Sequence, residues 1–336
     1  MIFDHISEAI KLPSIIRLEK NLYVARFESM KVYSVSTAVQ SLLDAGSIDQ
    51  TTTLIDSSSG VYAYALALAC NRFGLKCHIV GSSTVDLALL LQLRILGATV
   101  EQVPAEGSLK LDQHRRVSRV KEIVGKRPSY YWMRQYHDAI HYLGYKPLAD
   151  IIAAQIGAEN LTVVGSIGSG CSTGGLTEAL RVYQSDVRLI GIQPFGSVTF
   201  GSEHVDDPGI AMAGMGSGIP FENVRPELYD EMHWVSLGYG LSGAVALLRR
   251  HAVFAGLSSG CCYLVAKREA DRSPNQNVIF IAPDTGHRYV DTVFARHGEA
   301  LPLEALSPIE ISSQEMLDLP WAYMPWLRRP YRVNEE

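Results

Sequence analysis

The sequence predicts an α/β fold with mostly parallel sheets covered by helices on both faces. Three observations carry that expectation. Short apolar runs such as "LTVVGS" and "QNVIFIAP" alternate with helical patterns of about ten to fifteen residues, the order that sets strands side by side in parallel. Polar Gly/Ser-rich joints follow three of these strands, at residues 56–60, 165–175 and 283–286. Ligands gather at the carboxyl ends of strands in such folds. A chain of 336 residues, 47% hydrophobic and 19% charged, is also long and apolar enough for two domains with a substantial core.

In chain order, "TTTLID" is a strand that runs into "SSSG" and the helix "VYAYALALACNRFG". "LKCHIVGS" is the next strand, followed by the helix "STVDLALLLQLRILG" and the strand "ATVEQVP". A polar, basic helix, "SLKLDQHRRVSRVKEIVGK", precedes "SYYWMRQY" and the helix "YKPLADIIAAQIG". The strand "LTVVGS" feeds "IGSGCSTGG" and the helix "LTEALRVYQ", after which "RLIGIQP" is again a strand. The helix "GLSGAVALLRRHAVFAG", the segment "SSGCCYLVAKREAD" and the strand "QNVIFIAPDTG" complete the alternation. From about Leu301 the composition changes, and "LPWAYMPWLRRPY" reads as a packing arm, a partner-binding segment or a lid.

A net charge of -5 gives no electrostatic case for a nucleic-acid surface, and no polybasic run points to an anionic membrane. The N-terminal stretch mixes acids and bases with its apolar residues, unlike a secretory signal, and no apolar run is long enough to span a bilayer. Five scattered cysteines, Cys70, Cys77, Cys171, Cys261 and Cys262, form no CxxC pair and suit a reducing cytoplasm. His137 and His141 share a helical spacing but lack a third ligand, so they read as surface or packing histidines and no metal site is expected. Cys261 and Cys262, in an apolar helical stretch, read as core.

Two loops carry chemistry. "VVGSIGSGCSTGGLTEAL" places Gly165, Gly168, Gly170, Gly174 and Gly175 among Ser166, Ser169, Ser172 and Thr173, just before a helix. Converging N–H groups, hydroxyls and a helix N-terminus favour an anion. The lysine of a triphosphate-binding P-loop is absent, and no GxGxxG opens the first βαβ unit, so the loop reads as a flexible turn between strand and helix or, favoured by the density of its hydroxyls, as a monophosphate cradle. "AGLSSG" sets Ser258 and Ser259 at a chain reversal, as helix caps or as donors to the neutral ring nitrogen of an aromatic cofactor. A third stretch, "FESMKVYS", surrounds Lys31 with apolar neighbours, where an amine either snorkels to water or titrates down and becomes a nucleophile.

The succession of lysine segment, "SSSG" turn, glycine- and serine-rich loop, "GIQP", "AGLSSG" and "DTGHRY" resembles the cysteine synthase (O-acetylserine sulfhydrylase) and cystathionine β-synthase family, from about residue 10 to about residue 295. These are pyridoxal-phosphate (PLP) enzymes of fold type II. The resemblance implies two open twisted sheets with the cofactor in the interdomain cleft. Residues 1–35 with 147–300 would form the larger domain, 36–146 a smaller mobile one, and 301–336 a tail or lid. It implies that Lys31 forms the internal aldimine, that Gly168, Ser169, Gly170, Cys171 and Ser172 hold the phosphate, and that Ser258 meets the pyridine nitrogen. Ser58, Ser59, Gly60, Tyr62 and Gln135 fall on the family's substrate-binding positions. A homodimer is expected, as in relatives.

The chain departs from the family at informative places. The Asn-Pro before the lysine segment is missing, Val32-Tyr33 replaces Asp-Arg after it, and "SSGVYA" stands where the family has "TSGNTG". Val61 therefore replaces an Asn that binds the cofactor's 3′-oxygen, and Tyr62 a Thr that seats the substrate carboxylate. The implied reaction is β-replacement on an activated serine, O-acetylserine or O-phosphoserine, through an aminoacrylate to cysteine or another β-substituted alanine. A specialised role in amino-acid biosynthesis fits the altered loop. The alternatives are a β-eliminating lyase or deaminase, in which water resolves the aminoacrylate, and a catalytically silent PLP-fold protein that binds a partner.

Overall fold

In the computed structural model, which describes residues 2–83, 85–104, 109–207 and 214–331, strands and helices alternate as the apolar pattern dictates. A short helix α1 (Ile6–Ala9) precedes the hairpin β1 (Ser14–Arg17) and β2 (Leu22–Arg26), and α2 (Lys31–Asp44) follows. Next come β3 (Thr53–Ser57), α3 (Val61–Phe73), β4 (Lys76–Ser82), α4 (Leu87–Ile95), β5 (Thr99–Val103), α5 (Leu109–Lys126) and β6 (Tyr130–Trp132). A 3-10 segment, Ala139–Tyr145, runs into α6 (Lys146–Gln155), then β7 (Leu161–Ser166), α7 (Cys171–Arg181), β8 (Arg188–Gln193) and β9 (Glu231–Val235). The chain ends with α8 (Leu237–His251), α9 (Leu257–Arg272), β10 (Asn277–Ala282), β11 (Ile309–Glu310) and β12 (Trp321–Pro325).

The strands form two sheets. One has four parallel strands in the order β5-β4-β3-β6; the other has eight, in the order β1-β2-β10-β7-β8-β9-β12-β11. Within the larger sheet β2, β10, β7, β8 and β9 run parallel, while β1 and β12 are antiparallel to their inner neighbours. Strands buried on both faces must be apolar throughout, which is why "LTVVGS" and "NVIFIA" lack a polar alternation. Because β2, β10 and β7 are consecutive neighbours and parallel, their carboxyl ends open onto one place. That place is where the Gly/Ser-rich joints lie.

The helix after β7 starts earlier than the sequence pattern indicated, at Cys171 rather than near Leu176. Gly174 and Gly175 are therefore helical, and packing explains them. A Cβ at Gly174 would sit 2.5 Å from the Tyr142 hydroxyl, and one at Gly175 2.7 Å from the Tyr145 ring. Two tyrosines thus lie directly on the backbone of α7. Gly170 is required for a different reason: its φ is +81°, and a Cβ there would meet the Asn223 carbonyl oxygen at 2.4 Å.

Residues 301–331 are neither a free tail nor a lid, a correction to the expectation for 301–336, whose last five residues lie outside those described. β12 pairs antiparallel with β9, from Trp321 opposite Val235 to Pro325 opposite Glu231. Trp321 is buried and donates its indole N–H to His233 Nδ1 at 3.0 Å, while His233 Nε2 lies 2.7 Å from Glu231. Tyr323 stacks on the His233 ring at 5.2 Å. The aromatic content of the segment thus serves core packing. The five cysteines are free and buried, Cys261 and Cys262 within the core between α9 and the large sheet. No helix among the described residues is long and apolar enough to cross a membrane.

Replacing Trp321 by Ala should cost about 3–5 kcal/mol in urea denaturation, the usual range for deleting a buried tryptophan. A lid would lose almost nothing.

Candidate active site

Lys31 is the first residue of α2, and its approach is fixed by backbone. Phe27 N–H bonds to the Ala282 carbonyl at 3.0 Å and Met30 N–H to the Pro283 carbonyl at 2.9 Å, so the irregular stretch between β2 and α2 is laced to the exit of β10. The Lys31 amine points across to the loop after β7, donating to Ser169 Oγ at 3.2 Å and Ser172 Oγ at 3.3 Å. No carboxylate pairs with it among the described residues. Burial lowers its pKa from the usual lysine value, with the neighbouring Cys171 thiol acting weakly in the opposite sense. An amine in this setting is a nucleophile and a base.

The loop that faces it has the donors and the helix N-terminus that suit an anion. The backbone N–H groups of Gly168, Ser169 and Gly170 make no backbone hydrogen bond among the described residues. They precede the N-terminus of α7, eleven residues long, whose first residues are Cys171 and Ser172. Gly168 lies so close to Gly214 that a Cβ would stand 2.6 Å from its carbonyl oxygen. The Cys171 thiol is buried against the Gln135 carbonyl at 3.6 Å, and burial pushes its pKa up, so it packs rather than reacts.

The smaller sheet supplies the opposite wall. Ser58 Oγ accepts from Gly60 N–H and Ala63 N–H, and so tightens the turn that opens α3. Ser59 Oγ accepts from Ser82 N–H at 2.8 Å and from the Arg116 guanidinium at 3.3 Å. The Ser59 carbonyl receives Arg288 at 3.4 Å. Gln135 is held by its backbone N–H to Asp56, and its side-chain NH2 braces the Ser57 carbonyl at 2.7 Å. Tyr62, the second residue of α3, is buried with its hydroxyl 3.5 Å from His141 Nε2, and burial, with Asp56 nearby, pushes its pKa up. Val61, the first residue of α3, brings no polar side chain.

Ser258 is the second residue of α9, buried where that helix meets the end of β10. Gly256 N–H bonds to the Asp284 carbonyl, and Asp284 also bridges Ser29, so one residue touches both the lysine segment and the Ser258 helix. Asp284 accepts from Tyr289 Oη at 2.9 Å, and burial raises its carboxyl to about 6.

The structure thus gathers Lys31, residues 168–172 and Ser258 at three neighbouring strand ends, with Ser58, Ser59, Gly60 and Gln135 on the smaller sheet. Sequence reading missed Arg116, Asn223 and Asp284. Arg116 lay hidden in a basic helix, although it stands one residue before Val117 on the stripe Val117, Val120, Ile123 that buries α5. Asn223 joins the walls through hydrogen bonds to the Gln135 and Asp138 carbonyls, both at 3.0 Å, and no local pattern announces such a role.

Comparison with known proteins agrees with this geometry. The chain belongs to the pyridoxal-phosphate dependent enzyme family, whose model matches residues 6–284. Within it, the chain is 30% identical over 266 residues to N-(2-amino-2-carboxyethyl)-L-glutamate synthase of Cupriavidus metallidurans, covering 76% of each. Cysteine synthase B of Campylobacter jejuni is 25% identical over 301 residues, covering 87% of this chain and 98% of the relative. The structure of an O-acetylserine dependent cystathionine beta-synthase from Helicobacter pylori superposes with a TM-score of 0.77 at 24% identity, over 87% of this chain and 98% of that one. The fold-type II architecture expected from the sequence is therefore present. The site fits the cofactor on its own terms, because loop N–H groups at a helix N-terminus face a buried amine, the former without backbone partners and the latter without an acid partner among the described residues.

A carboxyl raised on folding binds extra protons in the native state. Asp284 should therefore lose stability for the fold as pH rises from about 4 to about 6 and none beyond. Comparing wild type with Asp284→Asn by denaturation at the two ends of that window should show about 2–3 kcal/mol of differential loss.

Proposed function

We propose that this protein is a PLP-dependent β-replacement enzyme acting on an activated serine, and that the activated serine is O-phosphoserine. The named relatives and the Lys31 setting support the reaction class. The choice of substrate rests on one observation. Arg116 is buried, points its guanidinium at Ser59 Oγ, and has no carboxylate within ion-pair distance among the described residues. A buried guanidinium without an acid is costly unless a ligand supplies the anion. Arg288 approaches the same turn from the larger domain through the Ser59 carbonyl. An acetyl ester offers these groups no charge; a phosphate ester offers two.

When bound, PLP supplies the electron sink that acidifies an amino acid's α-hydrogen and lets its β-substituent depart. In this reading Lys31 carries the cofactor and takes the α-proton, its lowered pKa suiting both tasks near neutral pH. Residues 168–172 and the start of α7 hold the cofactor's phosphate, and Ser258 partners its ring nitrogen. Ser58, Ser59, Gly60 and Gln135 hold the substrate carboxylate. Arg116 orients the phosphate and neutralises its charge as it leaves. Sulfur and amine nucleophiles both fit, as the names of the two curated relatives indicate. Residues 36–146 form the smaller, mobile domain in this reading, and the enzyme is a cytoplasmic homodimer, with free buried thiols supporting the reducing compartment.

Arg116→Met should raise KM for O-phosphoserine by about 10–100-fold, the effect of losing hydrogen bonds to a charged group, and leave O-acetylserine turnover within about twofold. Phosphate or acetate release, with sulfide or glutamate as acceptor, measures both. An equal loss on the two substrates would refute the phosphate reading, and undiminished turnover by Lys31→Ala would refute the reaction class.

A further inference from the structure

The segment "MPWLRRPY", residues 324–331, lies beyond residues 6–284 that the family model matches, and the proposed reaction leaves it unused. It is tied to Tyr229 and Asp230 by backbone. Trp326 and Leu327 donate their N–H groups to the Asp230 carbonyl at 2.8 and 3.0 Å, and Arg328 N–H donates to the Tyr229 carbonyl at 2.8 Å. The Trp326 and Tyr331 ring centres lie 4.9 and 6.2 Å from that of Phe200, which meets the Tyr229 ring edge-on at 5.3 Å. The Tyr229 ring also rests on β8, so closely that a Cβ at Gly191 would stand 2.7 Å from it. Tyr229 is 0% exposed.

Held in this way, Tyr229 reaches the start of α7 with its hydroxyl. Tyr229 Oη is 2.7 Å from Thr173 Oγ1, which is 3.2 Å from the Gly170 carbonyl oxygen. Among the described residues Thr173 is the only hydrogen-bond partner of that hydroxyl, and burial raises its pKa, so it keeps its hydrogen. A buried hydrogen without an acceptor is costly, so Tyr229 donates and Thr173 accepts. Thr173 then gives its own hydrogen to the Gly170 carbonyl, which also takes Gly174 N–H at 2.9 Å. The Thr173 methyl is pinned as well, because a Cβ at Gly165 would stand 2.5 Å from it. The 170–171 peptide is trans, so its C=O and N–H point in opposite directions. Two donors draw the carbonyl into the helix, and the Cys171 N–H therefore points out of the helix N-terminus. It makes no backbone hydrogen bond among the described residues.

We propose that Tyr229 is a positioning residue for the cofactor's phosphate: braced by the C-terminal arm and acting through Thr173, it fixes the 170–171 peptide plane and so aims the Cys171 N–H at that anion. The proposal rests on residues 168–172 holding the phosphate. It gives the arm a task besides packing, since the arm holds the tyrosine that holds the loop. Without the Tyr229 hydroxyl, the Thr173 oxygen loses its donor and its hydrogen is no longer directed at Gly170. The peptide plane is then held by one hydrogen bond in place of two. The loss falls on whatever the loop N–H groups bind and spares groups held elsewhere in the cleft.

The test uses the full-length chain stripped of cofactor, titrated by absorbance with PLP and separately with pyridoxal, which has the ring and aldehyde but no phosphate. Tyr229→Phe should raise the Kd for PLP about five- to tenfold, the worth of one net hydrogen bond, and leave that for pyridoxal within about twofold of wild type. Thr173→Val should do the same, and the double variant should bind PLP no more weakly than either alone, because the two hydroxyls act as one line. Thr173→Ser keeps the hydroxyl and should stay within about twofold of wild type for both. Arg328→Pro, which removes the N–H given to Tyr229 and cannot adopt the φ of +56° found there, should also weaken PLP selectively. The proposal is overturned if Tyr229→Phe or Arg328→Pro binds PLP as wild type does, or loses PLP and pyridoxal equally, as a merely loosened fold would. A wild type that binds pyridoxal as tightly as PLP would remove the phosphate-loop reading itself and the proposal with it.

Discussion

An amine held out of water without a counter-ion is the constraint around which the rest of this molecule is arranged. Lys31 is not placed by attraction to an acid, because none pairs with it among the described residues; backbone geometry puts it there. The fold does so with a strand and its neighbour. β2 lies between β1 and β10, and the residues that leave it are tied to Ala282 and Pro283 before α2 begins. Those ties direct the first turn of α2 at the loop after β7. The hydroxyls of Ser169 and Ser172 then satisfy the amine without fixing its charge, which leaves its protonation to burial.

The same logic governs the opposite wall. The turn at Ser58–Gly60 belongs to the smaller sheet, and bonds that cross from one sheet's side of the cleft to the other hold it against the larger. Gln113 of α5 accepts from Gly218 N–H at 2.7 Å, and Tyr136 stacks on Phe221 with ring centres 3.9 Å apart. Asn223 N–H bonds to the Tyr136 carbonyl while its side chain takes the carbonyls of Gln135 and Asp138. These polar contacts and one aromatic pair join the two sides of the cleft above a shared apolar cluster.

The sequence disclosed the strands well, because a parallel strand buried on both faces has no choice but an unbroken apolar run, as in "LTVVGS" and "NVIFIA". The loops were legible because glycine and serine accumulate where backbone must approach an anion. What stayed hidden was whatever depended on distant partners. The N-terminus of α7 looked like a flexible turn because Gly174 and Gly175 are poor helix formers; only Tyr142 and Tyr145, packed on them from another segment, explain their presence in a helix. The last strand was obscured because its register is set by β9, almost a hundred positions earlier in the chain. Arg116 was read as one charge in a basic run, since neither its burial nor its aim at Ser59 is local information.

The two buried acids nearest the chemistry show why the arrangement works. A carboxylate about 4 Å from Lys31 would stabilise its ammonium by roughly 4 kcal/mol at an effective dielectric of 20, close to three pKa units, and would cancel the effect of burial. Asp56 and Asp284 are both raised to about 6 by their own burial; Asp56 commits both oxygens to hydrogen bonds, while Asp284 commits only Oδ2, to Tyr289, and its Oδ1 has no hydrogen-bond partner among the described residues. Asp56 accepts from the backbone N–H groups of Ser57 and Gln135 and from the Trp132 indole, which fixes the substrate-side turn. Asp284 accepts from Tyr289 and uses its backbone to join the lysine segment to the Ser258 helix. Both acids therefore shape the site as braces for its walls. Among the described residues, Lys31 keeps a setting with no paired acid, and Arg116, buried with no paired acid, points its guanidinium at Ser59.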